Sequence, residues 1–487
     1  MSVATNDVET AEGLKAEGNQ HFAAGRFDQA LEAYERAIAK APLVAIYYCN
    51  ASACCAKLDE FGKAVLFADE ALRLDPAVAK GYFRRAVALM GLQQWKGALQ
   101  DLRTVAARVG TGGPPAEVTT RMRQCERELQ KIAFARAIHV EQFELDMKHI
   151  RKLTVDPSYE GPRLADDAPV TWDFVQEVAQ WSKQEKRLHP HFLYRIAYEA
   201  LQLFRAAPTV VDICVPPGGG GTLTVCGDIH GQYFDLLHLF ETNGYPSAQH
   251  TYLFNGDLVD RGPASIEVLL LLFALKALFP HNMFIARGNH ESESVNRMHG
   301  FYEEVQQKYP RDSRMFTLLN SVLHALPLVH IIQDSIFVVH GGLPATARTL
   351  TVSEIQQIDR TKVPEPGSVM NQLLWSDPQD APGIAPSHRG EGILFGPDVT
   401  EDFLRRNGLS KIIRSHVWEP TGYREQHDGK CITIFSAPNY TGTVSEAAVI
   451  NLDEQLTLSY RQFSAAEYQG KAPRSRAGAN FNSLFPS

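Results

Sequence analysis

Apolar positions in the first 110 residues recur at a fixed interval of 34. Ala30, Ala64 and Ala98 form one column, and Phe27, Phe61 and Trp95 a second. Ala37, Ala71 and Val105 form a third, and Pro42 and Pro76 a fourth that Gly110 completes. The pattern predicts three copies of a helix pair, at about 11–44, 45–78 and 79–112, with small residues where helices approach and aromatics between successive pairs. A polar run from Ala116 to His139, free of Pro and Gly, predicts a capping helix after the break TGGPP. Pro157, Gly161, Pro162 and Pro169 argue against helix before residue 170, so 140–168 reads as a linker. Trp172, Phe174, Val175, Val178, Trp181 and Leu188 then follow helical spacing over Val170–Ala206, with a kink at His189-Pro190.

From residue 220 the pattern changes to short β-branched runs that end in Gly and a polar cluster. Six are TLTVCGDIHGQ, YLFNGDLVDRG, NMFIARGNHES, SIFVVHGGL, KIIRSHVW and CITIFSAPNY. Each reads as a strand that fixes the side chains beyond it, with Gly permitting a tight turn. The loop PPGGGG at 216–221 precedes a strand, so it reads as a flexible hairpin and not as a phosphate-binding loop, which opens a helix.

The chain has 487 residues, more than one ordinary core accommodates. At 44% hydrophobic and 21% charged it has a globular composition. Lys and Arg total 48 against 56 Asp and Glu, which gives no electrostatic case for nucleic acid. The longest strongly apolar stretch, Val268–Leu275, is too short to span a bilayer, and the N-terminus has no apolar signal segment. Seven cysteines without a CxxC pair fit a reducing compartment. We expect a monomer in the cytoplasm, with the nucleus as a further location.

The period and its columns resemble tetratricopeptide repeats. Lys15 and Asn19 share one helix face, Lys80 and Arg84 another, and Asn50 lies on the first helix of the second copy. The set matches the K-x-x-x-N, N, K-x-x-x-R carboxylate clamp of repeat domains that bind chaperone tails. The resemblance implies that these five residues hold the C-terminal acidic peptide of an Hsp90- or Hsp70-type chaperone.

The strand ends supply Asp228, His230, Asp257, Asn289, His340 and His416: oxygen and imidazole donors without thiolate. This chemistry suits two divalent ions such as Mn, Fe or Zn, with Mg a further option. Two ions about 3.5–4 Å apart can share a carboxylate and a water that is hydroxide-like near neutral pH. GDIHG, GDLVDRG, GNHE, HGG, RSH and SAPNY, in this order, resemble the PPP family of serine/threonine phosphoprotein phosphatases. That resemblance implies a multidomain chain: an all-α tetratricopeptide superhelix (11–139), a linker (140–168), an α/β metallophosphatase domain with a central β-sandwich flanked by helices (169–465), and a regulatory tail (466–487). It implies Asp228 and His230 on the first metal, Asp257 as the bridge, and Asn289, His340 and His416 on the second. His290 becomes the general acid, oriented by Asp260. Arg261 and Arg389 become the phosphate clamp, with Asn289 also touching phosphate and Tyr440 closing the pocket.

The substrates implied are phosphoserine and phosphothreonine in proteins. The combination with repeats implies self-inhibition, with Asp59 meeting the cleft and Ala472–Ser487 holding the closed form, opened by a chaperone tail or an acidic lipid. Cys226 lacks the C-x5-R signature of a phosphocysteine enzyme. Two alternatives remain: a catalytically weak scaffold, and a dinuclear phosphodiesterase or nucleotidase. Val417 and Trp418 after RSH, and Thr441 and Gly442 after SAPNY, depart from the family pattern, but none of these changes removes a metal ligand, and an active enzyme is expected.

Overall fold

The structure, a computed structural model, describes residues 2–58, 60–92, 94–108, 114–137, 150–312, 314–387, 389, 391–440 and 444–466. Asp59, Thr441, Gly442 and the tail from Ala472 lie outside the described residues. The chain divides into two compact units, one helical and one α/β. Among the described residues no helix is long and apolar enough to cross a membrane.

The helical unit comprises α1 (Ser2–Ala23), α2 (Phe27–Lys40), α3 (Ala45–Lys57), α4 (Phe61–Leu74), α5 (Ala79–Gly91), α6 (Trp95–Arg108) and α7 (Ala116–Ala137). The alanine columns do what their size allows: Ala30, Ala64, Ala98, Ala37 and Ala71 are all fully buried. The aromatic column shows how the copies differ. Phe61 packs on Gly91, where a Cβ would stand 2.3 Å from the ring. One copy earlier the equivalent neighbour of Phe27 is Lys57, whose Nζ lies 6.0 Å from the ring centroid, and Phe27 is only half-buried. Helix α7 buries Val118 and Cys125, two turns apart on one face.

The α/β unit is built on two sheets. The first has the order β1-β5-β6-β10-β12-β11: Val210–Ile213, Val329–Ile332, Ile336–Val339, Lys411–Arg414, Cys431–Ile434 and Tyr423–Gln426. The second has the order β14-β13-β2-β3-β4: Leu458–Phe463, Ala447–Leu452, Thr222–Cys226, His250–Phe254 and Met283–Ile285. Strand alternation sorts the side chains. Leu223, Val225 and Leu253 share a core with Ile336, Val338, Ile413 and Ile432, which marks the interior of the sandwich. Cys226, Tyr252 and Phe254 face outward into a core with the helices Trp172–Lys183, Pro190–Ala206 and Ser265–Leu278. Phe337, Val339 and Ile412 face helix Pro397–Asn407 on the other side. A small third sheet, β7-β9-β8, joins Asp377–Pro378, Ile393–Phe395 and Ile384–Pro386.

Three expectations are refined. The 170–206 run is two helices, because Pro190 lacks an N–H and starts the second one, with His189 accepting from His191 N at its cap. The stretch read as a linker is partly structural: Ile150 and Leu164 are buried in the α/β core, and His191 Nδ1 lies 3.1 Å from Ile150 O and 3.0 Å from Leu153 O. The glycine loop joins β1 to β2, which belong to different sheets, so it is an inter-sheet turn and not a hairpin.

Candidate metal centre

Parallel pairing of β3 with β2 and β4, and of β10 with β6 and β12, brings the carboxyl ends of both sheets to one edge. Asp228 bridges in parallel to Phe435, which stitches the two sheets together there. Ligands in such folds lie beyond strand carboxyl ends. Asp228, His230, Asp257, Asn289, His290, His340 and His416 all follow strands at this edge, and each is buried.

The turns that deliver them are conformationally demanding. His230 (φ 47°), Asp257 (50°), Asp260 (70°), Arg261 (67°) and His416 (72°) occupy the left-handed region, which costs a side-chain-bearing residue on the order of 1 kcal/mol or more. Gly288 has no room for a side chain: a Cβ would stand 2.3 Å from Asp257 Oδ1.

Two groups of donor atoms lie within 4.8 Å of one another: His230 with Asp257 and His290, and Asp257 with His340 and His416. Asp257 is common to both. His230 Nε2 is 3.6 Å from Asp257 Oδ2 and 3.6 Å from Asp228 Oδ2, and His340 Nε2 is 3.3 Å from Asp257 Oδ1. One terminal atom of the Asn289 amide sits 3.1 and 3.2 Å from the two Asp257 oxygens, 2.8 Å from His340 Nε2 and 2.9 Å from His416 Nδ1. His416 N donates to Asp228 Oδ1 at 3.1 Å. All six predicted donors therefore belong to one cluster.

The outer nitrogens fix how the rings face. His340 Nδ1 contacts Asn255 O at 2.8 Å and His230 Nδ1 contacts Val259 O at 3.0 Å, so each turns Nε2 inward, as a metal-ligating imidazole does. Burial by itself raises the Asp257 carboxyl, yet His340, His290 and His230 together hold it well below the usual range. Burial is the largest single influence on His340 and lowers it, but the charge and hydrogen bond of Asp257, the Asp228 charge and the Asn255 carbonyl together lift the ring to about 9. The buried carboxylates thus call for compensating positive charge. Together with the oxygen and imidazole donor set, this fits two divalent cations that share Asp257.

His290 is set apart from the other rings by its partner. Its Nδ1 lies 2.8 Å from Asp260 Oδ2, which leaves Nε2 for the centre, and its ring meets that of His230 edge-on at 4.8 Å. Tyr440 stacks on His230 with centroids 5.0 Å apart. Arg261 follows Asp260 directly and its N–H donates to His299 O at 3.1 Å. Arg389 lies in a turn after β8.

Sequence reasoning misses the residues that brace the centre. Glu291 accepts from Asp257 N (2.8 Å), Leu258 N (2.9 Å) and Gly288 N (2.8 Å). Asn255 Nδ2 donates to Val339 O and Ser415 Oγ, both at 2.9 Å, and so joins the two sheets. Both lie inside the quoted motifs, and for Asn255 its place next to Gly256 at a strand end is the available signal.

In the helical unit, Lys15 pairs with Glu12 at 2.6 Å, Tyr34 OH donates to Asn19 Oδ1 at 2.7 Å, and Asn50 Nδ2 lies 3.5 Å from the same oxygen. Lys80 is lowered to about 8, chiefly by burial and then by the charges of Arg84 and Lys15, with Cys49 opposing. Arg84 is buried. These cations feel one another's field across three copies of the repeat.

Comparison with known proteins agrees with this geometry. The calcineurin-like phosphoesterase family matches residues 221–420, a tetratricopeptide repeat matches 11–43, and the PPP5 TPR repeat region matches 122–212. Serine/threonine-protein phosphatase T of Aspergillus oryzae is 39% identical over 493 residues, covering 99% of this chain and 100% of that protein. Serine/threonine-protein phosphatase 5 of Homo sapiens is 37% identical over 475 residues, 96% of this chain and 93% of that protein. A solved structure, a serine/threonine phosphatase from Saccharomyces cerevisiae with similarity to human phosphatase PP5, aligns with a TM-score of 0.58 at 38% identity, over 61% of this chain and 97% of that one. Repeats and metal centre occur together in one polypeptide that these relatives match from end to end, and the chain belongs to the protein phosphatase 5 family of serine/threonine phosphatases.

Proposed function

We propose that this chain hydrolyses phosphoserine and phosphothreonine esters in proteins through the centre around Asp257. The observation that carries this reading is the pair of donor groups sharing one carboxylate, with Asp260 holding His290, a member of the first group, by its Nδ1. Asp228, His230 and Asp257, and Asp257, Asn289, His340 and His416, would hold two divalent ions, whose chemistry there would be charge neutralisation and activation of water. Arg261, Arg389 and Asn289 hold the phosphoryl oxygens, and Tyr440 walls the pocket over His230. A serine alkoxide leaves poorly, so His290 Nε2 delivers a proton to it while Asp260 holds Nδ1.

The experiment is phosphate release from a phosphoserine peptide, with and without manganese, by the native chain, His290→Asn and Asp257→Asn. Loss of turnover in both variants and on omitting manganese is expected. Unchanged turnover in either variant contradicts the roles of His290 and Asp257, and turnover of a phosphodiester in preference to the peptide favours the nucleotidase alternative.

The clamp of Lys15, Asn19, Asn50, Lys80 and Arg84 is suited to a C-terminal carboxylate with a neighbouring acidic side chain, as on an Hsp90- or Hsp70-type tail. Self-inhibition by the repeats, relieved by such a tail or an acidic lipid, belongs to the same reading, as does a cytoplasmic and nuclear location. A shortened chain for testing it should begin before Ile150, because Ile150 and Leu164 belong to the α/β core. Equal turnover of the shortened and full chains at all substrate concentrations would refute self-inhibition.

A further inference from the structure

Asn296 lies in the short helix Glu293–His299, is fully buried, and is not among the donors of the centre. Its Nδ2 donates to Asp260 Oδ2 at 2.9 Å and to His290 O at 2.5 Å. Both hydrogens of one amide nitrogen are thereby spent on the two members of the Asp260–His290 pair. Asp260 Oδ1 takes a third N–H, from Phe301 at 2.9 Å, and the Asp260 backbone N–H is bound to Ser265 Oγ at 3.2 Å. With N–H groups on both of its oxygens, the Asp260 carboxylate acts purely as an acceptor. The His290 Nδ1 facing it must then be a donor, which fixes Nε2 as the atom turned to the centre.

Asn296 has a cost that its stabilising bonds do not remove. Among the described residues, its Oδ1 is buried without a hydrogen-bond partner. A buried acceptor left unpaired opposes folding, so the residue is justified by the two hydrogen bonds of its other end, to the Asp260 carboxylate and the His290 carbonyl. Asn is retained where its donor end is needed. Remove it and Asp260 Oδ2 keeps only the imidazole, while the His290 carbonyl loses its own restraint, so the ring can swing about both ends.

We propose that Asn296 is a positioning residue that holds His290 and Asp260 in the register for proton delivery to the leaving oxygen. This inference rests on the reading of His290 as the acid. It separates leaving groups. A serine alkoxide needs the delivered proton, whereas a nitrophenolate departs without it, so a displaced acid slows the first substrate and spares the second.

The test compares the full chain with Asn296→Ala and Asn296→Ser, loaded with manganese, on a phosphoserine peptide and on para-nitrophenyl phosphate. For Asn296→Ala, kcat on the peptide should fall by about 10- to 100-fold with KM nearly unchanged, while kcat on the aryl phosphate falls by no more than about 3-fold. Asn296→Ser keeps one hydroxyl donor and should lie between the alanine variant and the native chain. If the alanine variant does not fold, the same ratio of ratios is read on the serine variant. Equal loss on both substrates, no loss on either, or a fall in bound manganese that accounts for the loss overturns the proposal. His290→Asn serves as the reference. If it shows leaving-group selectivity and the Asn296 variants do not, this inference fails alone; if it shows none, the reading of His290 fails first.

Discussion

The backbone N–H of Asp257 donates to Glu291 Oε2 at 2.8 Å, and the same oxygen takes the Gly288 N–H at 2.8 Å. One carboxylate thereby clamps the turn that carries the shared donor to the turn that carries Asn289. Glu291→Gln turns an acceptor into an NH2 that faces N–H groups. Manganese affinity should fall about 10- to 100-fold, measured by calorimetric titration of chelator-stripped protein. Native affinity in the variant would show that the clamp does not set the donor geometry.

Ion removal should be visible as lost stability. A ligand that binds only the folded state adds about 2.7 kcal/mol at a hundredfold excess over its dissociation constant. Chelation should lower the melting temperature of the native chain, and manganese should restore it. Asp257→Asn, which removes the donor common to both groups, should abolish the manganese-dependent shift. A full shift in that variant would place the ions elsewhere.

Carboxylate binding at the repeats should depend on pH in the alkaline direction. Lys80 is lowered to about 8, first by burial and then by Arg84 and Lys15. A bound carboxylate favours its charged form, so the complex takes up a proton when it forms above that value. Affinity for a peptide ending in acidic residues should be flat below pH 7 and weaken above pH 8, by up to about tenfold per unit. Calorimetry in buffers of differing ionisation heat reads the proton uptake, and Lys80→Arg should remove the dependence.

Acid should destabilise the α/β unit through its buried neutral histidines. His330 is pushed down to about 3, chiefly by burial, with Lys276 and Arg360 adding to it. Below its ordinary value of about 6.5 the unfolded chain binds a proton that the folded one refuses, so stability falls with pH from there down to about 3. The slope approaches about 1.4 kcal/mol per unit for this residue. His330→Gln should flatten the difference between urea midpoints at pH 7 and pH 5; an unaltered difference would assign the acid sensitivity elsewhere.

The repeats were legible because their spacing is one-dimensional: a column every 34 residues survives without knowledge of the fold. The strand ends were legible for a related reason, since β-branched runs that stop at Gly and then Asp or His announce both the strand and the turn. What the sequence hid were contacts between distant turns. Nothing local about Glu291 says that its oxygens face Leu258, 33 residues earlier, and nothing about Asn296 says that it reaches Asp260. Ile150 reads as linker because Pro and Gly follow it, whereas its place is decided by packing against residues beyond 170. The His189-Pro190 kink is a full helix boundary, since the proline supplies a start as well as a break.

The donors between Asp228 and His416 arrive from the ends of several strands, drawn from both sheets. No short contiguous fragment of the chain can therefore assemble the centre: one sheet carries Asp228, His230, Asp257 and Asn289 at its strand ends, and the other His340 and His416. Ion uptake becomes a late event in the maturation of this unit, and tight manganese retention is a sensitive assay for whether a refolded or newly synthesised molecule has finished closing its two layers against each other.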